Sequence, residues 1–181
     1  KGAAPSYGSQ CINKIATGMF YTGITNDPTK RLEKHNSGKG SRMATQQGPF
    51  ELVYISTDSI FDGTKGNYTE QDTPNPVNFY AKTKLQGEEA ARMNPDTIIV
   101  RTNMYGWNVQ DKKSLAEWVL GNLKDNKPMD GFTDIIFSPM LVNRISRSIQ
   151  HLISKNFTGA INLNSTDAMN KYEFACLVAE T

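Results

Sequence analysis

From residue 51 onward, short runs rich in β-branched residues alternate with longer stretches of helical period, and this alternation most limits the fold. Leu52-Val53-Tyr54-Ile55-Ser56 and Thr97-Ile98-Ile99-Val100 are apolar runs between breakers, the pattern of strands covered on both faces. Two more strands are predicted over 134–137 and 160–163, and helices over 79–93, 115–123, 141–154 and 172–180. The order strand, helix, strand, helix predicts an α/β fold with a largely parallel sheet. No internal repeat or low-complexity segment interrupts it.

Ahead of residue 51 the texture differs. Residues 1–18 are polar, without a clear period, and read as tail or loop. Phe20-Tyr21-Thr22-Gly23-Ile24-Thr25 has a strand composition. Asp27 is placed to cap a helix with Pro28 at its first position, and Asn36-Ser37-Gly38-Lys39-Gly40-Ser41 ends it in a basic loop. A small α+β segment thus precedes the α/β part. Residues 1–50 hold seven Lys/Arg against Asp27 and Glu33, so +5; residues 51–181 hold thirteen against sixteen acids, so −3. This split predicts two modules, 1–50 and 51–181. The mean hydropathy is −0.52, and no run approaches the ~20 apolar residues of a membrane-spanning helix. The first residues lack the apolar stretch of a signal peptide. Cys11 and Cys176 are too few for a disulfide scaffold or a zinc site, so a reducing, cytoplasmic setting is expected.

One group of residues carries recognisable chemistry. Thr57 follows a core strand at its carboxyl end, where open α/β sheets bind ligands. Tyr80 and Lys84 are four apart on one helix face. A free tyrosine has a pKa of about 10. A lysine ammonium beside it favours the phenolate and lowers that value, making Tyr80 a candidate general acid. Thr57 is the matching candidate to hold a carbonyl oxygen.

Residues 53–88, from Val53-Tyr54-Ile55-Ser56-Thr57-Asp58 through Tyr80-Ala81-Lys82-Thr83-Lys84-Leu85-Gln86-Gly87-Glu88, resemble extended short-chain dehydrogenase/reductases, in particular the dTDP-4-dehydrorhamnose reductase branch. The likeness continues through Ile99-Val100-Arg101-Thr102-Asn103-Met104-Tyr105-Gly106, Gly131-Phe132-Thr133, Phe137-Ser138-Pro139 and Lys171-Tyr172-Glu173-Phe174. The resemblance implies a partial Rossmann-like sheet and NADPH- or NADH-dependent reduction of a 4-keto group on a nucleotide-linked deoxysugar. Thr57, Tyr80 and Lys84 would be the catalytic triad, Tyr80 and Lys84 would also contact the cofactor, and Arg101 and Asn103 are candidates for the substrate side. Two departures stand out. No Gly-x-x-Gly-x-x-Gly follows a strand upstream of residue 51, and Arg144 stands where the family usually has an acid.

The head has a resemblance of its own. Tyr21-Thr22-Gly23-Ile24-Thr25, Lys30-Arg31-Leu32, His35-Asn36-Ser37-Gly38-Lys39 and Glu51-Leu52-Val53-Tyr54 are similar to GIY-YIG nucleases. That implies Tyr21, Arg31 and His35 at a nuclease site using Mg, with nucleic acid held along residues 21–42, where Lys39 and Arg42 add backbone affinity. Cys11 stands where the first motif tyrosine is expected, and reductase-like sequence takes over where the metal-binding Glu should follow. Of the remaining conspicuous residues, His151 reads as a surface or boundary residue, Cys176 as a small core residue, Asp58 and Asp62 as turn or capping acids, and Trp107 and Trp118 as packing residues.

Both patterns share an apolar strand near residues 52–54. The expectation is a mosaic, a truncated nuclease-like head on a truncated reductase core. Its function is a reductase, a nuclease or nucleic-acid-binding module, or a catalytically dead fusion.

Overall fold

The computed structural model describes residues 9–15, 20–25, 27–40, 50–108 and 113–180, with the backbone alone for 9–24. The side chains of Cys11 and Tyr21, and Arg42 entirely, lie outside this description. Two compact units divide the chain: residues 1–101 with 157–162, and residues 102–156 with 163–181.

The first unit is built on a five-stranded sheet of order β2-β1-β3-β4-β8, comprising β1 (Ser9–Ile15), β2 (Phe20–Thr25), β3 (Phe50–Ser56), β4 (Ile98–Arg101) and β8 (Gly159–Asn162). β3, β4 and β8 are parallel, with Ser56 opposite Arg101 and Arg101 opposite Asn162. β1 is antiparallel to both β2 and β3, with Cys11 opposite Tyr54. Residues 9–15, expected to be tail or loop, are therefore a strand. Ser-Gln-Cys-Ile-Asn-Lys-Ile is too polar to announce itself, and pairing on both sides supplies what propensity does not. β1 and β2 belong to the same sheet as the reductase-like strands, and the boundary expected near residue 51 falls inside β3.

Two helices complete this unit, α1 (Pro28–Asn36) and α2 (Phe79–Ala91). Asp27 caps α1 as expected, accepting from the Lys30 amide at 2.9 Å, with Pro28 at the first helical turn. The Asn36 side chain fastens the end of α1 to the start of β3, donating to the Phe50 carbonyl (3.1 Å) and accepting from its amide (2.8 Å). Phe50, Leu52 and Tyr54 of β3, two apart and so on one face, form a core with Leu32 of α1, Ala91 of α2 and Ile99 of β4. Burying a side chain such as Leu52 contributes about 2 kcal/mol.

The second unit holds α3 (Leu115–Lys124), α4 (Val142–Ser154) and α5 (Lys171–Ala179). It also has two short ladders: β5 (Met104–Tyr105) with β7 (Met140–Leu141), parallel, and β6 (Ile136–Phe137) with β9 (Met169–Asn170), antiparallel. The strand expected over 134–137 is thus one side of a two-residue ladder outside the main sheet. Capping boxes start α3 (Ser114 with Glu117) and α5 (Asn170 with Glu173). Phe174 sits edge-on to both Tyr105 and Phe137, with centroids 5.3 and 5.5 Å away.

Candidate active site

Thr57 leaves β3 at its carboxyl end and caps the 3₁₀ turn Asp58–Ile60, its hydroxyl accepting from the Ser59 amide at 3.2 Å. It also lies 3.2 Å from an Asp58 carboxylate oxygen and from the Ser59 hydroxyl. Asn78 caps α2 by accepting from the Ala81 amide at 2.8 Å, which places Tyr80 in the first turn. The Tyr80 phenol lies near enough to the Thr57 hydroxyl for the two to influence each other. Tyr80 is 58% exposed overall. Partial desolvation pushes the Tyr80 pKa above the ordinary phenol value, the nearby Thr57 hydroxyl opposes the rise, and the Asp58 carboxylate adds to it.

This corrects the expectation of a phenol pulled down by Lys84. The Lys84 ammonium donates to the Ile55 carbonyl at 2.5 Å and lies 4.6 Å from the centre of the Tyr54 ring. The Tyr54 hydroxyl in turn donates to the Lys84 carbonyl at 3.1 Å. Lys84 thus stands at the carboxyl edge of β3, one helical turn beyond Tyr80.

Arg101 is corrected as well. It is 2% exposed, and its guanidinium grips the fully buried Glu88, with Nη2 2.8 Å from Oε2 and Nε 3.0 Å from Oε1. A guanidinium spent this way in the core does not reach out to substrate. Asn103 belongs to the second unit, where its amide donates to the Asn164 side chain (3.1 Å) and its carbonyl accepts from the Met140 amide (2.8 Å).

His35 is a correction of the nuclease-like reading. It is buried with its ring 5.6 Å from that of Phe50, so it turns into the core rather than onto an open catalytic face. Burial lowers its pKa, with Arg31 and Lys34 adding to the effect. Arg31 is half-buried one turn earlier and Lys39 is exposed.

Asp62 is the turn acid it was read to be, and more. Its carboxylate accepts from the Thr64 amide (3.0 Å) and hydroxyl (2.8 Å), the Tyr68 hydroxyl (2.5 Å) and the Asn75 amide group (2.9 Å). These bonds, led by that from Tyr68, hold its pKa far below the usual carboxylate range. Asn162, at the end of β8, ties down the same loop by donating to the Tyr68 carbonyl (2.9 Å) and, through its amide, to Glu70 (2.8 Å). His151 is exposed, as expected, whereas Trp107 is 76% exposed and packs little.

Within the second unit, Leu115, Trp118, Val119, Phe132, Tyr172 and Cys176 help line an apolar cavity of about 400 Å³. The sequence offered no period for this cavity, since its walls come from α3, residues 129–135 and, far along the chain, α5. Gly131 is required there: a Cβ would lie 2.6 Å from Cδ2 of Tyr172.

Comparison with known proteins decides the family. The model of the RmlD substrate-binding domain matches residues 28–181. The chain belongs to the RmlD substrate-binding domain family. The match starts at Pro28, so α1 is part of the family segment, ahead of the boundary expected at residue 51. This RmlD-family chain is 32% identical over 164 residues to methionine adenosyltransferase 2 subunit beta of Bos taurus, covering 85% of the chain and 48% of that protein. It is 31% identical to the probable low-salt glycan biosynthesis reductase Agl14 of Haloferax volcanii, covering 71% and 45%. A solved dTDP-4-dehydrorhamnose reductase of Bacillus anthracis in complex with NADP superposes with a TM-score of 0.66 at 28% identity, covering 72% and 46%. The RmlD-family chain therefore spans about half the length of the curated relatives it matches. Its fold is mixed α/β with a Rossmann-like parallel sheet.

Proposed function

We propose that this chain carries the carbonyl-binding and proton-donating part of an NAD(P)H-dependent reductase acting on a nucleotide-linked 4-keto-deoxysugar, in a cytoplasmic setting. The observation behind this reading is that Thr57 at the carboxyl end of β3, Tyr80 in the first turn of α2 and Lys84 on the Ile55 carbonyl gather at one sheet edge. Thr57 and Tyr80 together hold the carbonyl oxygen of the substrate. Tyr80, its phenol kept protonated by burial, gives that oxygen a proton as negative charge develops on it. The flat aromatic walls of the second unit's cavity suit a nucleobase.

The donor set at the edge of β3 fits the ribose end of a nicotinamide cofactor. Lys84 brings its ammonium to that edge, and Tyr80 lies one turn before it on the same helix. These two residues would hold that end, and a reduced nicotinamide would supply hydride to the carbonyl carbon. The pyrophosphate end has no matching cradle among the described residues. β1, on one side of β3, is antiparallel to it, and the N-terminus of α1 is occupied by the Asp27 carboxylate, which repels an anion.

That mismatch favours a second reading, a partner-binding subunit without turnover, in keeping with relatives named as a subunit. The nuclease alternative, with Mg, gains nothing from the relatives named above. Incubation with NADPH and a dTDP-linked 4-keto-6-deoxysugar tests the main proposal through loss of NADPH absorbance. The expected result is turnover that Tyr80→Phe lowers by about 10²–10⁴-fold. Absence of turnover in folded protein would favour the subunit reading.

A further inference from the structure

We propose that Glu88 and Arg101 are positioning residues, a buried clamp that fixes the register of α2 and thereby keeps Tyr80 at the carboxyl edge of β3 beside Thr57. The inference rests on the reductase reading only in giving that placement a purpose.

Tyr80, Lys84 and Glu88 are spaced i, i+4, i+8 and lie along one face of α2. Each meets the carboxyl edge of the sheet: Tyr80 at Thr57, Lys84 at the Ile55 carbonyl, Glu88 at Arg101, the last residue of β4. The buried positions of α2 are Ala81, Gly87, Glu88 and Ala91. Apart from Glu88 the fully buried side chains are small, so Glu88 is the one large side chain of α2 that is completely enclosed. A slip of one residue moves the helix about 1.5 Å and turns it by about 100°, which swings Tyr80 off Thr57.

The Glu88–Arg101 pair is suited to prevent this. Nε reaches Oε1 and Oε2 at 3.0 and 3.2 Å, and Nη2 reaches Oε2 at 2.8 Å, a planar fork on a planar carboxylate that accepts one azimuth and one height. Phe61 backs it, its ring centre 5.4 Å from the Arg101 guanidinium carbon. Arg92 approaches the outer side of Glu88 at 3.5 Å and is half-exposed.

Stability alone does not account for the pair. Two charges at 0% and 2% exposure bear a desolvation cost that well-packed apolar residues would avoid. Arg101 also keeps Nη1 buried without a hydrogen-bond partner among the described residues. What the ion pair provides and an apolar pair does not is direction.

The test replaces the clamp by apolar side chains of similar length, Glu88→Met with Arg101→Met, and follows Tyr80 by NMR of ¹³Cζ-labelled tyrosine, assigned with Tyr80→Phe. The double variant is expected to fold with a melting temperature close to the parent's. The Tyr80 titration midpoint should fall from its raised value toward the ordinary value of about 10, and Thr57→Val should no longer move it. Glu88→Asp, which keeps the charge, should retain part of the raised value. A folded double variant with Tyr80 titrating as in the parent overturns the clamp, and so does a double variant that fails to fold, because the pair is then needed for stability. No cofactor or substrate enters this measurement, so a failure of NADPH turnover leaves its outcome unaffected.

Discussion

Single residues settle what the site can do. Tyr80 is an acid held in its protonated form by burial, so a folded pKa above the ordinary value keeps it a phenol throughout the neutral range. His35 is the opposite case. Its folded pKa lies below the unfolded value of about 6.5, so the unfolded chain binds more protons between the two. Stability from this residue is complete above that value and declines as pH falls toward the folded pKa, by at most about 1.4 kcal/mol per pH unit. Thermal melts between pH 8 and 5 should show the decline, and His35→Leu should remove it. Gly131→Ala drives a methyl group into Tyr172 and should cost about 1–3 kcal/mol, read from denaturant midpoints. The Thr57, Tyr80 and Lys84 positions were legible because strand end and helix spacing are local properties. The burial of Arg101 and His35 was not, because a charged or titratable side chain in sequence carries no mark of which face its neighbours will cover.

At the scale of elements, the buried strands and the helices were readable to within a residue or two, since apolar runs and caps such as Asp27 and Asn78 are written in consecutive residues. β1 was not, because its stability comes from partners on both sides rather than from its own composition. The loop after the 3₁₀ turn shows how much order a single carboxylate can organise. Asp62 gathers four donors, and Lys65 pairs with Asp72 at 2.6 Å, whose pKa is drawn down to about 2 chiefly by that lysine. Because both acids titrate below their ordinary value, their contribution is present above about pH 4 and is lost only on further acidification. Hydrogen exchange over residues 64–75 should therefore remain slow at pH 4, and Asp62→Ala should speed it at pH 7.

At the scale of the whole molecule, the sheet joins two kinds of strand pairing. β3 and β4 carry the candidate residues at their carboxyl edge in parallel with β8, while β2 and β1 add an antiparallel pair on the other side. The charge split at residue 51 suggested a seam, yet the sheet runs through it and the family match begins at residue 28. Composition cannot reveal this because pairing is made by backbone, not by charge. The central claim is that Tyr80 and Lys84 receive the nicotinamide end of a dinucleotide while the described residues offer no pyrophosphate cradle. A fluorescence titration of the folded chain with NADPH, repeated with Lys84→Met, tests it most directly. The account predicts weak, saturable binding that Lys84→Met lowers about tenfold, the loss of one charge-assisted hydrogen bond. Absence of any binding at millimolar NADPH, or binding indifferent to Lys84→Met, would contradict it.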